Sequence, residues 1–495
     1  MNGHRDAVIV GAGFGGMGAA IQLDRLGLHD YVILDREDDL GGTWHVNRYP
    51  GLAVDIASVT YSYSFEANPH WSRVFAPGAE LKRYAEHVAD KYDLRRRMRF
   101  GCTVTGATWN DETRCWDVAL AGGETVSARI LVTATGFLSQ PKKPDIPGID
   151  SFRGAVVHSA DWDDNVELTG KRAAIVGTGA TAVQLIPELA REVADLTVYQ
   201  RTPIWVVPKI DARIPRPVRR LFAALPATQR AARLINSSAL EALSVVGVLH
   251  YRQAHLANRV AELTARAHLR VQVRDSRTRR ALTPRYSFGC KRPTFSNAYY
   301  RTFNKPGVHL ETGTIDHIEP NAIVTAGGHR TEIDVLVLAT GFDLWEANFP
   351  AIEVIGRDGR DLGKWWRANR FQAYAGMTVP RFPNLINLNS PYAYTGLSFF
   401  WTIEAQMTHM ARLFGELDRR GADVFEVTEQ ANEAFLDRMT RKLDDSVFYR
   451  GNCATARSYY FNPHGEAALL RPTPVVTSNR EAGTFPLTDY TYEIP

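Results

Sequence analysis

The sequence predicts an α/β protein with two Rossmann-like dinucleotide-binding domains and a helical insertion. Three observations carry this. A glycine-rich strand–turn–helix–strand pattern occurs twice, at residues 6–37 and 171–203. An apolar strand ending in Ala-Thr-Gly-Phe also occurs twice, at 130–137 and 335–342. Between these, residues 215–283 are rich in Arg and Ala and lack strand periodicity, which reads as helix.

The first pattern opens with an apolar strand ending at Val10. Gly11, Gly13 and Gly16 follow as G-x-G-x-x-G, with Phe14 inside the motif, then a helix to about Leu26 and a second strand ending at Asp35. Gly11 permits the tight turn. Gly13 lets backbone N–H groups approach a pyrophosphate at the helix N-terminus, and Gly16 lets helix and strand pack closely. The second pattern repeats this with Gly177, Thr178, Gly179 and Ala182, and its second strand runs into Arg201 and Thr202. One such motif is weak evidence; two in the same structural context are strong.

The residue closing each second strand separates the two cradles. Asp35 lies 19 positions after Gly16, and Arg201 lies 19 after Ala182. An acid at that position accepts hydrogen bonds from ribose hydroxyls, whereas an arginine suits a 2′-phosphate. The first cradle is therefore read as an FAD site and the second as an NADPH site. The two Ala-Thr-Gly-Phe strands, with Gly136 in the first, are expected to return the chain to the FAD sheet on either side of an inserted NADPH domain. The layout expected is 1–140 FAD, 141–335 NADPH with the helical insertion at about 215–283, and 336–495 FAD together with a substrate-side segment.

Bulk properties exclude several classes. With 495 residues and 45% hydrophobic content, the chain is long enough for two or three domains. A net charge of +4 is too mild to argue for nucleic acid. The longest apolar run, 239–249, contains Glu241 and is far shorter than the roughly 20 residues of a membrane span. The N-terminus leads directly into a strand, with no secretory signal pattern. A cytoplasmic protein is expected. Cys102, Cys115, Cys290 and Cys453 form no CxxC pair, so four reduced thiols and no metal site are expected.

The stretch FRGAVVHSADWD, 152–163, is neither an obvious strand nor an obvious helix. It fits F-x-G-x-x-x-H-x-x-x-W-[P/D] through Phe152, Gly154, His158, Trp162 and Asp163, just ahead of the second cradle. This resembles the fingerprint of the type I Baeyer–Villiger monooxygenases, which are class B flavoprotein monooxygenases. The resemblance implies that His158 and Trp162 couple the two domains to cofactor binding. It extends over most of the chain. GGTWHVNRYPGLAVDIASVTYSYSF, 41–65, is similar to the family's flavin-contact segment; Gly42, Thr43 and Trp44 would lie along the FAD, and Asp55 and Tyr61 near its ring. FGCKRPTFSNAYYRTFNKP, 288–306, resembles the family's Lys-Arg segment. It implies Lys291 on the NADPH 2′-phosphate and Arg292 as the active-site arginine. The sequence departs from the family at LAVD, where Arg-Cys commonly precedes the aspartate, and at Asn389-Ser390-Pro391, where Gly-Pro is common.

The activity implied is oxygen insertion beside a ketone carbonyl, giving an ester or lactone, with NADPH, O2 and a C4a-peroxyflavin. Arg292 would stabilise the developing negative charge, and Asp55 would hold Arg292. The same cradles also admit an N- or S-oxygenating flavin monooxygenase, or an NADPH oxidase or reductase. Disulfide reduction would need a cysteine pair at the flavin, and none is evident. The aromatics Tyr392, Tyr394, Phe399, Phe400 and Trp401 fit either a bulky apolar substrate or core packing. The tail SYYFNPHGEAALLRP carries no readable mechanism.

Overall fold

A computed structural model describes residues 4–242 and 246–495. Two sheets with parallel cores organise it. The first contains eight strands among the described residues. Arg5–Val10 lies between Tyr31–Leu34 and Thr125–Thr133, parallel to both. Thr125–Thr133 is long because it serves two neighbourhoods. Its first half pairs antiparallel with Cys115–Leu120, and its second half pairs parallel with Leu385–Asn387. Glu353–Ile355 adds at the far edge on Val104–Asn110.

The second sheet is wholly parallel. Its order is Val308–Glu311, Asp195–Tyr199, Arg172–Val176, Val335–Leu338 and Ala155–His158. Strands buried on both faces read as continuous apolar runs, as VLVL does here.

Two sequence expectations are corrected by this topology. The second Ala-Thr-Gly-Phe strand was expected in the FAD sheet, but Val335–Leu338 lies in the second sheet, between Arg172–Val176 and Ala155–His158. It therefore plays for the second cradle the part Thr125–Thr133 plays for the first. Ala134 donates its N–H to the Val10 carbonyl at 2.8 Å, and Ala339 does the same to Val176 at 2.9 Å. Four apolar residues cannot report which of two similar sheets they join. The chain returns to the first sheet only at Glu353–Ile355 and Leu385–Asn387. The second correction concerns the 152–163 stretch. Its AVVH core is an edge strand in register with Val335–Leu338. A Cβ on Gly154 would lie 2.2 Å from the Asp334 carbonyl oxygen, so the glycine allows the close approach that pairing requires.

Residues 215–283 form helices, chiefly Arg216–Ala224, Pro226–Leu240 and Tyr251–Gln272. No helix among the described residues is long and apolar enough to cross a membrane.

Candidate active site

Each cradle sits where the strand order reverses, the usual ligand crevice of an open α/β sheet. A Cβ on Gly11 would lie 2.6 Å from the Ala134 carbonyl oxygen, and one on Gly177 would lie 2.3 Å from that of Ala339. Both glycines have positive φ, +112° and +122°. A Cβ on Gly16 would lie 1.9 Å from the Gly11 carbonyl oxygen. These positions can only be glycine. Gly179 differs, because nothing lies within 4 Å of its Cβ direction; that space is open for a ligand. Asp35 accepts the Ala12 N–H at 2.6 Å and the Glu37 N–H at 3.0 Å, which fixes its carboxylate at the rim of the first turn.

The Gly41-Gly42 pair, both at positive φ, brings Thr43–Val46 against that turn; a Cβ on Gly42 would lie 3.1 Å from Gly13 Cα. Trp44 packs edge-on against Tyr61, and Tyr61 against Phe400, at ring separations of 5.6 and 5.1 Å. Phe14 lies 4.7 Å from the Phe400 ring and accepts the Tyr63 hydroxyl at its carbonyl. The helix Phe399–Arg420 crosses the first cradle's helix at Gly18, where Ile403 and Met407 fill the space a side chain would need. Asn389 Oδ1 and Ser390 Oγ are buried without a partner. Unpaired buried oxygens call for a donor, and Asn389 lies beside the cradle helix, its Nδ2 3.9 Å from where a Cβ on Gly15 would sit.

Arg292 is the centre of the site. Its Nε donates to Asp55 Oδ2 at 2.8 Å and its Nη2 to Asp55 Oδ1 at 3.1 Å; its Nη1 donates to the Tyr394 hydroxyl at 2.9 Å. Tyr394 in turn donates to the Leu397 carbonyl at 2.9 Å. Burial by itself disfavours the guanidinium charge, but Asp55 more than offsets that, so Arg292 is held well above the ordinary arginine value. Burial raises the Tyr394 hydroxyl, which stays a neutral phenol.

A family model for pyridine nucleotide-disulphide oxidoreductases matches residues 8–231. A Baeyer–Villiger monooxygenase of Streptomyces coelicolor is 35% identical over 98% of this chain and 92% of its own. A closed crystal structure of cyclohexanone monooxygenase matches with a TM-score of 0.88 at 27% identity, covering 100% of both chains. A crystal structure of OTEMO in complex with FAD and NADP matches with a TM-score of 0.86 at 26% identity over 99% of both. The chain belongs to the Baeyer–Villiger monooxygenases.

In this Baeyer–Villiger monooxygenase the fingerprint histidine ends the edge strand Ala155–His158, in register with Leu338. His158 Nδ1 accepts the Ala160 N–H at 3.1 Å, and its Nε2 lies 3.4 Å from Thr340 Oγ1, in the second Ala-Thr-Gly-Phe. Burial lowers its pKa, so the ring is neutral there. Trp162 is buried in the core of the second sheet. Thr178 donates to the Thr202 carbonyl at 2.8 Å, tying the second glycine turn to the residue after Arg201.

Arg457, Tyr459 and Tyr460 join the residues that the sequence singles out. Lys291 is pushed down to about 8, first by burial and then by two neighbouring cations, Arg201 and Arg457. Arg201 is likewise lowered by burial and by Arg457. None of the three has a carboxylate partner among the described salt bridges, so the cluster lacks an anion. Arg457 comes from the C-terminal segment, and the adjoining Tyr459 and Tyr460 sit against Arg292. No motif announces them; only the fold brings them there.

The cysteine expectation is corrected as well. Cys290 and Cys453 form a disulfide across 163 residues, and Cys102 and Cys115 are free. The bond ties the C-terminal segment beside Lys291 and Arg292, where the Asn452 carbonyl also accepts the Ser287 N–H at 3.1 Å. Such a long separation leaves no spacing signal. No metal-holding cluster occurs among the described residues.

Proposed function

We propose that this chain uses NADPH and O2 to insert one oxygen atom beside a ketone carbonyl, giving an ester or lactone, as a cytoplasmic enzyme. The carrying observation is Arg292, a partly buried cation clasped by Asp55 on two N–H groups and by Tyr394 on a third. The residues fit the two cofactors. The first cradle, with Gly11, Gly13, Phe14, Gly16, Asp35, Gly42, Thr43, Trp44, Tyr61 and Gly136, would hold FAD. The second, with Gly177, Thr178, Gly179, Ala182, Arg201, Thr202 and Lys291, would hold NADPH. The FAD unit would flank the NADPH unit, with the second boundary moved past Val335–Leu338.

When bound, the flavin accepts hydride from NADPH and activates O2. The chain's own part is positioning and charge. The first turn of the Phe399–Arg420 helix carries no acidic side chain, so its dipole favours negative charge at that end. The Arg292 guanidinium faces the negative charge that develops on the ketone oxygen, and in a dry site a fixed cation is far more effective there than in water. Asp55 holds the guanidinium plane. The neutral phenols of Tyr394, Tyr459 and Tyr460 neither donate a stray charge nor take one. Water exclusion keeps NADPH oxidation from ending in hydrogen peroxide.

The test is to follow NADPH consumption with a panel of cyclic, aromatic and steroid ketones and one sulfide, quantifying product and hydrogen peroxide together. Ester or lactone formed in step with NADPH supports the reading. Sulfoxide from the sulfide with no ester from any ketone would assign heteroatom oxygenation instead, and protein that purifies without flavin would overturn both.

A further inference from the structure

The helix Tyr251–Gln272 leaves an apolar stripe uncovered. Leu256, Val260 and Leu263, spaced i, i+4 and i+7, share one face and are 62–67% exposed. Val271 continues the stripe at 84% exposure. Arg259, Arg266 and Arg270 fall on the adjoining stripe, spaced i, i+7 and i+11. The helix has one acidic residue, Glu262, which is turned inward to accept the Phe288 N–H at 3.1 Å. The surroundings share this bias. Residues 215–283 contain thirteen arginines and three acidic residues, although the whole chain is only +4.

An exposed apolar stripe bordered by arginines is the pattern of a helix lying in a lipid–water interface. The apolar side chains enter the acyl boundary while the guanidinium groups meet lipid phosphates. A second copy of this chain fits poorly, because self-apposition sets arginines against arginines with no exposed carboxylate on the helix to pair them. A nucleic acid would use the arginines and leave the apolar stripe in water.

We propose that the outer face of Tyr251–Gln272 docks the enzyme on an anionic phospholipid surface. The inner face of the same helix touches the segment that carries the active-site arginine. Asn258 Nδ2 donates to the Phe288 carbonyl at 2.6 Å, four residues before Arg292. Docking therefore sets the substrate side about one helix diameter, ~10 Å, from the lipid.

The experiment is flotation of the full-length holoenzyme with vesicles of phosphatidylcholine alone or with 30% phosphatidylglycerol, at about 0.1 M and 0.5 M salt. Two variants accompany it, Leu256→Ser/Val260→Ser/Leu263→Ser and Arg259→Glu/Arg270→Glu. All these positions are exposed, so flavin content and turnover of a soluble ketone should match wild type. Expected are at least tenfold tighter binding to the anionic vesicles, its loss at high salt, and a drop of tenfold or more in each variant. Equal binding to both vesicle types, or binding indifferent to the triple serine variant, overturns the proposal. No vesicle binding together with a solution dimer that the triple variant dissociates assigns the face to a second copy and also overturns it.

Discussion

Replacing Tyr394 with phenylalanine removes one oxygen and leaves the ring in place. That oxygen accepts Arg292 Nη1 at 2.9 Å and donates to the Leu397 carbonyl at 2.9 Å. Tyr394 is 6% exposed, so water does not readily replace either bond. A hydrogen bond to a charged group contributes about 1.5–3 kcal/mol net. Asp55 still holds the guanidinium on two N–H groups, so the lower end applies to affinity and stability, and the full range to orientation of the free N–H. At 1.4 kcal/mol per decade, ester formation should fall about 10- to 100-fold. NADPH-driven flavin bleaching under anaerobic conditions should stay within a few-fold of wild type, because Tyr394 does not belong to the second cradle. Product and peroxide, measured together in air, should show peroxide rising as ester falls. Wild-type yield of ester per NADPH in Tyr394→Phe would rule out this role for the hydroxyl, as would an equal loss in both half-reactions.

Glycine substitutions separate folding from cofactor fit. Gly179→Ala has no protein neighbour within 4 Å and should melt like wild type while its KM for NADPH rises, whereas Gly177→Ala, 2.3 Å from the Ala339 carbonyl oxygen, should lower the melting temperature; equal melting in both would be contrary. Burial and two cations push Lys291 down to about 8, so NADPH binding should weaken as pH rises through 8 and the cation is lost, a slope that Lys291→Met should abolish in a titration of KM against pH. Arg457→Ala should raise the KM for NADPH about tenfold and leave that for NADH unchanged, since only NADPH carries the 2′-phosphate; equal effects on both cofactors would mean a structural role.

The parts of the fold read correctly from sequence were those with a local cause. A glycine turn between a strand and a helix has a chemical reason at each position, so both cradles were legible, as were the opposite charges of Asp35 and Arg201. The second Ala-Thr-Gly-Phe strand was misplaced because VLVL carries no information on which parallel sheet it enters. AVVH went unrecognised as a strand because four residues at a sheet edge gain their order from a neighbour 180 residues away. At the site, Arg292 and Asp55 were named only through a family resemblance; as bare sequence they are an exposed-looking cation and a turn aspartate. Tyr394 stands out in the sequence only as one of several aromatics, and nothing local reports its hydroxyl contact. Arg457, Tyr459, Tyr460 and the Cys290–Cys453 bond arrive from the far end of the chain, and only long-range packing assembles them.

Arg292 is assigned to the oxygen-insertion step and not to cofactor reduction alone. The direct measurement uses Arg292→Ala with a ketone that wild type converts. Flavin bleaching by NADPH is recorded first without oxygen, and ester and peroxide are quantified after air is admitted. Bleaching is expected to persist while ester falls by a factor of about 100 or more and peroxide takes its place. Ester formed at the wild-type rate would contradict that assignment.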